Sequence, residues 1–178
     1  MNADRGFDAD PSETLERAFD RIRATRFADL PLVNPALRVK AVGFRRCPFG
    51  WAGVLLTPWF MNLLIVPARG VAWQPLGVGA RRRLILPAGC FEVLGGAEDE
   101  VGEYLYCPMF STMSVFADQE GALMTADELC TMLFSAATAE TIRQSNPTGL
   151  GWFAPDPVRF GDSEIETSIS DSRREFLR

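Results

Sequence analysis

The sequence predicts an α+β fold: a two-layer sandwich with a mainly antiparallel sheet and N-terminal and C-terminal helices on one face. Three observations carry this. An amphipathic segment with start signals opens the chain, short apolar runs broken by Pro and Gly fill the middle, and a second helix signature follows them. Residues 11–146 are expected to form the domain, with a flexible N-terminus at 1–10 and a mobile tail at 147–178.

The first helix begins at Asp10, which suits an N-cap, with Pro11 at the first helical position and Glu13 at capping-box spacing. Leu15, Phe19, Ile22 and Phe27 fall near one face, and the helix is expected to end near Arg26, before Pro31. Strands follow. Leu37 to Arg46 sets Arg38 and Lys40 against Leu37, Val39 and Ala41, the alternation of a sheet with one wet face. Pro48, Phe49 and Gly50 turn the chain into Trp51–Thr57, Pro58 and Trp59 interrupt it, and Met61–Val66 continues as a more buried strand. Arg83–Leu86 and Cys90–Leu94 flank Pro87, Ala88 and Gly89. After the acidic turn Gly95–Glu100, Glu103–Cys107 returns as a hairpin partner of Cys90–Leu94.

The rest of the domain reads as helix. Thr112–Glu120 forms a short one. Thr125 with Glu128 is a second capping box, opening a helix that carries Leu129, Met132, Leu133 and Ala136 towards Gln144 and stops before Pro147.

Composition narrows the function. The chain has 178 residues, 47% hydrophobic and 23% charged, and a formal net charge of -5, so no basic footprint invites nucleic acid. Histidine is absent, which removes Ser-His-Asp and Cys-His catalysis and imidazole-bound zinc. Cys47, Cys90, Cys107 and Cys130 are widely spaced with no C-x-x-C pair, so free thiols are expected, with no metal and no cofactor. A thiol cluster assembled in three dimensions is the alternative. The polar, acidic start lacks a secretory signal, and Pro58, Asn62 and Pro67 break the longest apolar run, Trp51–Ala68. A cytoplasmic binding protein is expected, neither an enzyme nor membrane-inserted.

Three segments carry a specific resemblance: Val33-Asn34-Pro35-Ala36-Leu37 through Val39 to Ala41-Val42-Gly43-Phe44; Gly53-Val54-Leu55-Leu56-Thr57-Pro58-Trp59-Phe60-Met61-Asn62-Leu63-Leu64 with Val66-Pro67; and Leu86-Pro87-Ala88-Gly89-Cys90-Phe91, Tyr106-Cys107-Pro108-Met109-Phe110-Ser111 and Phe116-Ala117-Asp118. In this order they resemble the HybE family of nickel-iron hydrogenase assembly chaperones, including the HupJ and HoxT types. The resemblance implies a secretion-chaperone-like sandwich that attends a hydrogenase precursor before export. The small subunit, with its twin-arginine signal peptide, is the foremost client it implies. A family variant carries a rubredoxin module, whose paired C-x-x-C motifs are not found here.

Candidate client-binding residues form two groups. Trp59, Phe60 and Met61 stand at a strand interruption, with Asn62 suited to hydrogen-bond a bound backbone; Met109, Phe110, Met113 and Phe116 form the second. Core packing is the competing role for both. Glu98, Asp99, Glu100 and Glu103 surround the hairpin turn, and with Asp118 they suit a receptor for paired arginines as well as a solvated turn.

The final residues, Ser172-Arg173-Arg174-Glu175-Phe176-Leu177-Arg178, resemble the twin-arginine consensus S-R-R-x-F-L-K. No apolar region follows, so no export role is expected. Chance, a joined client-derived segment, and a tail mimicking the client are the three explanations. The last two expect Arg173, Arg174, Phe176 and Leu177 to dock on this protein or on a second copy. The alternative function is a cysteine-dependent redox or iron-sulfur accessory of the same hydrogenase.

Overall fold

The structure, a computed structural model, describes residues 6–28 and 30–135. Helix α1 (Ser12–Ile22) continues through a π-helical turn, Arg23–Phe27. Strands β1 (Lys40–Cys47), β2 (Gly50–Leu56), β3 (Met61–Val66), β4 (Arg81–Leu86), β5 (Gly89–Glu98) and β6 (Gly102–Phe110) follow, then a 3-10 turn, Met113–Val115, and helix α2 (Gln119–Phe134). The strands form one antiparallel sheet in the order β1-β2-β3-β6-β5-β4. It consists of two three-stranded meanders, β1–β3 and β4–β6, joined where β3 pairs with β6.

The α+β class and the antiparallel sheet are as expected, but the helices lie on opposite faces. Leu15, Ala18, Phe19 and Ile22 of α1 pack with Val39, Phe44, Leu55, Leu64 and Val66. Ala122, Ala126, Cys130 and Leu133 of α2 pack with Ala52, Val54, Leu56, Leu63 and Ile65. The cause is in β2 and β3, whose residues are buried almost throughout. Strands apolar on both faces need cover on both.

A bulge matches β1 to this arrangement. Between Val42 and Arg45 the register slips against β2, and Gly43 adopts φ 63°. The extra residue turns Phe44 onto the α1 side. Gly53 makes room there, since a Cβ on it would lie 2.5 Å from the Phe44 ring.

The start of α1 is within one residue of expectation, with Pro11 in the cap position, whereas the start of α2 differs. Asp10 does accept from the Ser12 amide, at 2.9 Å, at the start of α1. In α2 the cap is Asp118, whose carboxylate accepts from the Gly121 amide at 2.8 Å. Thr125 lies inside this helix and its hydroxyl donates to the Gly121 carbonyl, so Thr125 and Glu128 are not a capping box. Thr112–Glu120 is therefore not a helix of its own; it holds the 3-10 turn and the first residues of α2. The continuation beyond Ser135 and the tail at 147–178 lie outside the described residues.

Candidate client-binding surface

The quoted motif segments meet at one end of the sheet and mostly build the scaffold. The Asn34 side-chain amide donates to the carbonyls of Met113 (3.0 Å) and Phe116 (2.8 Å), while its backbone N–H donates to Pro58 (2.8 Å). The Thr57 hydroxyl accepts from the Phe60 amide and donates to the Phe60 carbonyl, both at 2.9 Å, and so closes the β2–β3 turn. This turn sends Trp59 inward, where it is 7% exposed and stacks on Phe27 with ring centroids 4.6 Å apart.

The expected exposed rim is accordingly corrected in part. Trp59, Met61 and Met113 are buried. Phe60 is half-buried on the α1 side, edge-on to Phe19, whereas half-buried Met109, Phe110 and Phe116 pack against the α2-side core. The first group is itself split, Trp59 and Phe60 on the α1 side and Met61 on the α2 side with the second group, so the two groups do not line one groove. Asp118 is committed to capping α2.

The acidic hairpin already holds two arginines. Glu98 pairs with Arg26 through two 3.0 Å contacts, a bidentate fork, and Glu100 pairs with Arg21. Asp99 and Glu103 are exposed beside them. Burial, then the nearby Glu98 carboxylate, pushes the Tyr104 hydroxyl up to about 12.

Between this hairpin and β4 lies a surface that sequence reasoning missed. Helix α1 covers the sheet over β1–β3 and reaches β6, where Phe19 stands edge-on to Tyr104, but it does not extend over β4 and the start of β5. On the same side, cross-strand neighbours run Arg81–Leu94–Tyr106, then Arg83–Glu92, then Ile85–Cys90. Ile85 and Leu94 are half-buried and join neither core. Arg81 and Glu92 form an exposed ion pair at 3.0 Å. At the inner border stands Asn62, between Leu55 and Pro108, 6% exposed, with no hydrogen-bond partner for its Oδ1. A buried carbonyl oxygen without a donor costs about 1–3 kcal/mol. The surface therefore has an apolar centre and carboxylates at one end, with the unpaired Asn62 Oδ1 buried beneath its inner border, which suits an extended peptide with basic and apolar residues. Alternation in β4 and β5 was the available signal, since their intervening residues face the open side.

The four thiols do not assemble into such a site. Cys130 donates to the Val42 carbonyl at 3.3 Å inside the α2-side core, Cys47 and Cys107 pack against that core, and Cys90 lies on the opposite face. Burial pushes the thiols of Cys47, Cys107 and Cys130 up, away from the reactive thiolate. Among the described residues no three Cys, Asp or Glu side chains converge to hold a metal ion. No described helix is long and apolar enough to cross a membrane.

Comparison with known proteins agrees with this architecture. The family described as "NiFe-hydrogenase assembly, chaperone, HybE" matches residues 10–178, a span that takes in the twin-arginine-like segment. Protein HoxT of Cupriavidus necator is 40% identical over 141 residues, 70% of this chain and 76% of that protein. "Probable rubredoxin HupJ" of Rhodobacter capsulatus is also 40% identical, over 126 residues, but the match spans only 45% of its length. The solution structure of HybE from Escherichia coli superposes with a TM-score of 0.61 at 25% identity, covering 90% of this chain and 91% of that one.

Proposed function

The chain belongs to the HybE family of NiFe-hydrogenase assembly chaperones, and we propose that it binds a precursor small subunit through its twin-arginine signal peptide before export, in the cytoplasm. The observation that carries this reading is the α1-side face of β4 and β5, which joins neither core among the described residues, with the unpaired Asn62 Oδ1 buried at its border. An extended peptide laid across it donates a backbone N–H to Asn62. Apolar residues of the peptide cover Ile85, Leu94 and Tyr106. Its paired arginines reach the carboxylates of the β5–β6 hairpin, where Asp99 and Glu103 are exposed and the Arg21 and Arg26 pairs are open to exchange.

The role is recognition without bond chemistry. A peptide held this way is shielded from aggregation while its subunit matures. Calorimetric titration of the chain ending at Asp171 with a small-subunit signal peptide tests the reading. We expect saturable binding, weakened about tenfold or more when both arginines become lysines, because lysine loses the bidentate fork. No binding by protein verified as folded overturns the signal peptide as the client segment.

A further inference from the structure

We propose that the outer edge of β4 takes an extended acidic segment of a protein partner as a seventh strand of the sheet. The edge is the far border of the β4–β5 face from Asn62, and the inference stands whether or not a signal peptide binds that face.

The two edges of the sheet are finished differently. β1 and β4 are the outermost strands. Along β1, side chains cap the backbone. The Ala41 N–H donates to Glu16 Oε1 (3.1 Å), the Val42 carbonyl accepts from the Cys130 thiol (3.3 Å) and the Gly43 carbonyl accepts from Arg45 Nε (3.3 Å). The slip beside Gly43 also breaks the line of the strand. Such devices keep a sheet edge from pairing with another chain.

β4 has no bulge, and no such cap among the described residues. Leu86 and Gly89 flank the two-residue turn Pro87-Ala88, so Leu86, Leu84 and Arg82 exchange hydrogen bonds with β5. Past the strand, the Gly95 N–H donates to the Ala80 carbonyl at 2.9 Å, in step with this inward set. The alternate residues, Arg81, Arg83 and Ile85, turn their N–H and C=O groups outward. Among the described residues none of these groups has a partner.

Charge selects the occupant. Arg81, Arg82 and Arg83 stand in succession on a chain of net charge -5. Arg81 pairs with Glu92, and Arg82 reaches the carbonyls of Gln74 (3.2 Å) and Pro75 (3.4 Å) on the other face. Arg83 is exposed and makes no ion pair among the described residues. A second β4 laid alongside sets two arginine runs together, and a basic peptide meets the same repulsion. A strand with carboxylates at alternate positions places them beside Arg81 and Arg83 on one face. Its intervening apolar residues then lie on the side of Leu84 and Leu86, at the margin of the α2-side core. In this mode backbone pairing supplies affinity and alternate side chains supply specificity.

The test uses the isotope-labelled full chain and a heptapeptide alternating glutamate with valine, acetylated and amidated. One control replaces glutamate by lysine. The other is N-methylated at its glutamates, whose N–H groups face β4 in this pairing. We expect the acidic peptide to shift the amides of Arg81, Arg83 and Ile85 saturably and to slow their hydrogen exchange. The N-methylated peptide should bind about tenfold more weakly, and the lysine peptide not at all. Arg83→Glu, at an exposed position, should weaken the acidic peptide about fivefold and let the lysine peptide bind. Equal binding by the N-methylated peptide reduces the contact to charge attraction and overturns strand pairing. No shift at these amides overturns it as well. Edge amides already protected without peptide show the edge filled by this chain or a second copy, which also overturns the proposal. A short single-stranded oligonucleotide that shifts them more strongly than the peptide assigns the arginines to nucleic acid instead.

Discussion

One side of the sheet is built in two ways. Over β1–β3 it carries Val39, Phe44, Leu55, Leu64 and Val66 beneath α1, sealed and nearly free of charge. Over β4 and β5 it carries Arg81, Arg83 and Glu92 around Ile85 and Leu94, beside Tyr106 of β6, and no described helix packs on it. The same backbone geometry serves both halves; the difference is which residues occupy the second parity of each strand. Apolar residues at both parities demand a covering layer, whereas alternation with arginine and glutamate lets a strand face water. On this side of the sheet, apolar burial is concentrated in the first half.

The sharpest way to break this contrast is to cut a large side chain from each half. Phe44→Ala should destabilise by about 3–5 kcal/mol, because Gly53 leaves a ring-shaped space that cannot collapse. Leu94→Ala, outside both cores, should cost under about 1 kcal/mol. Urea denaturation midpoints measure both, and equal losses would show that the open half is as tightly built as the covered one.

Asn62→Leu sharpens the functional side of the comparison. Removing an unpaired buried amide should leave stability unchanged or raise it by about 1 kcal/mol, while client-peptide affinity falls severalfold. A variant that keeps full affinity would remove Asn62 from the binding surface. A smaller effect is expected at the hairpin. Glu98→Gln exchanges a charged fork with Arg26 for a neutral contact and should cost less than about 1 kcal/mol, its partner being mostly exposed. The client affinity of that variant should lose salt dependence, as read from titrations at two ionic strengths.

The least of these effects is a titration at the boundary between the halves. The Tyr104 hydroxyl is pushed up to about 12, so it remains protonated in the fold where an unfolded tyrosine has ionised. Its contribution is complete below about pH 10 and is lost as pH rises from there towards 12. Absorbance at 295 nm should show this ionisation delayed in the native protein and restored to near 10 in denaturant.

Much of the fold was legible because its signals are local. Met61–Val66 falls where its apolar run places it, and the hairpin between β5 and β6 turns at the acidic stretch as read. Which face each helix covers was not legible. A strand buried on both faces gives no parity by which to orient its neighbours, and the slip at Gly43 reverses parity within β1. The start of α2 was misread because Thr125 and Glu128 match a capping box by spacing, while the true cap, Asp118, is followed by an unremarkable Gln-Glu-Gly. Aromatic content at the Pro58 interruption suggested exposure, but the Thr57 hydroxyl turn folds Trp59 inward, and no periodicity encodes that. The open half escaped notice since it consists of ordinary alternating residues that join neither core among the described residues.

The division of the sheet into two meanders has a consequence for how the chain is made. Within each meander every pairing joins neighbours along the chain, and only β3 with β6 must wait for distant partners to meet. During synthesis α1 and β1–β3 emerge first and can collapse on one another before β6 exists. The slow event is then the zipping of a single seam, flanked by Asn34, which ties the earliest third of the chain to Met113 and Phe116. Mutations along that seam should slow folding more than equally destabilising changes inside either meander.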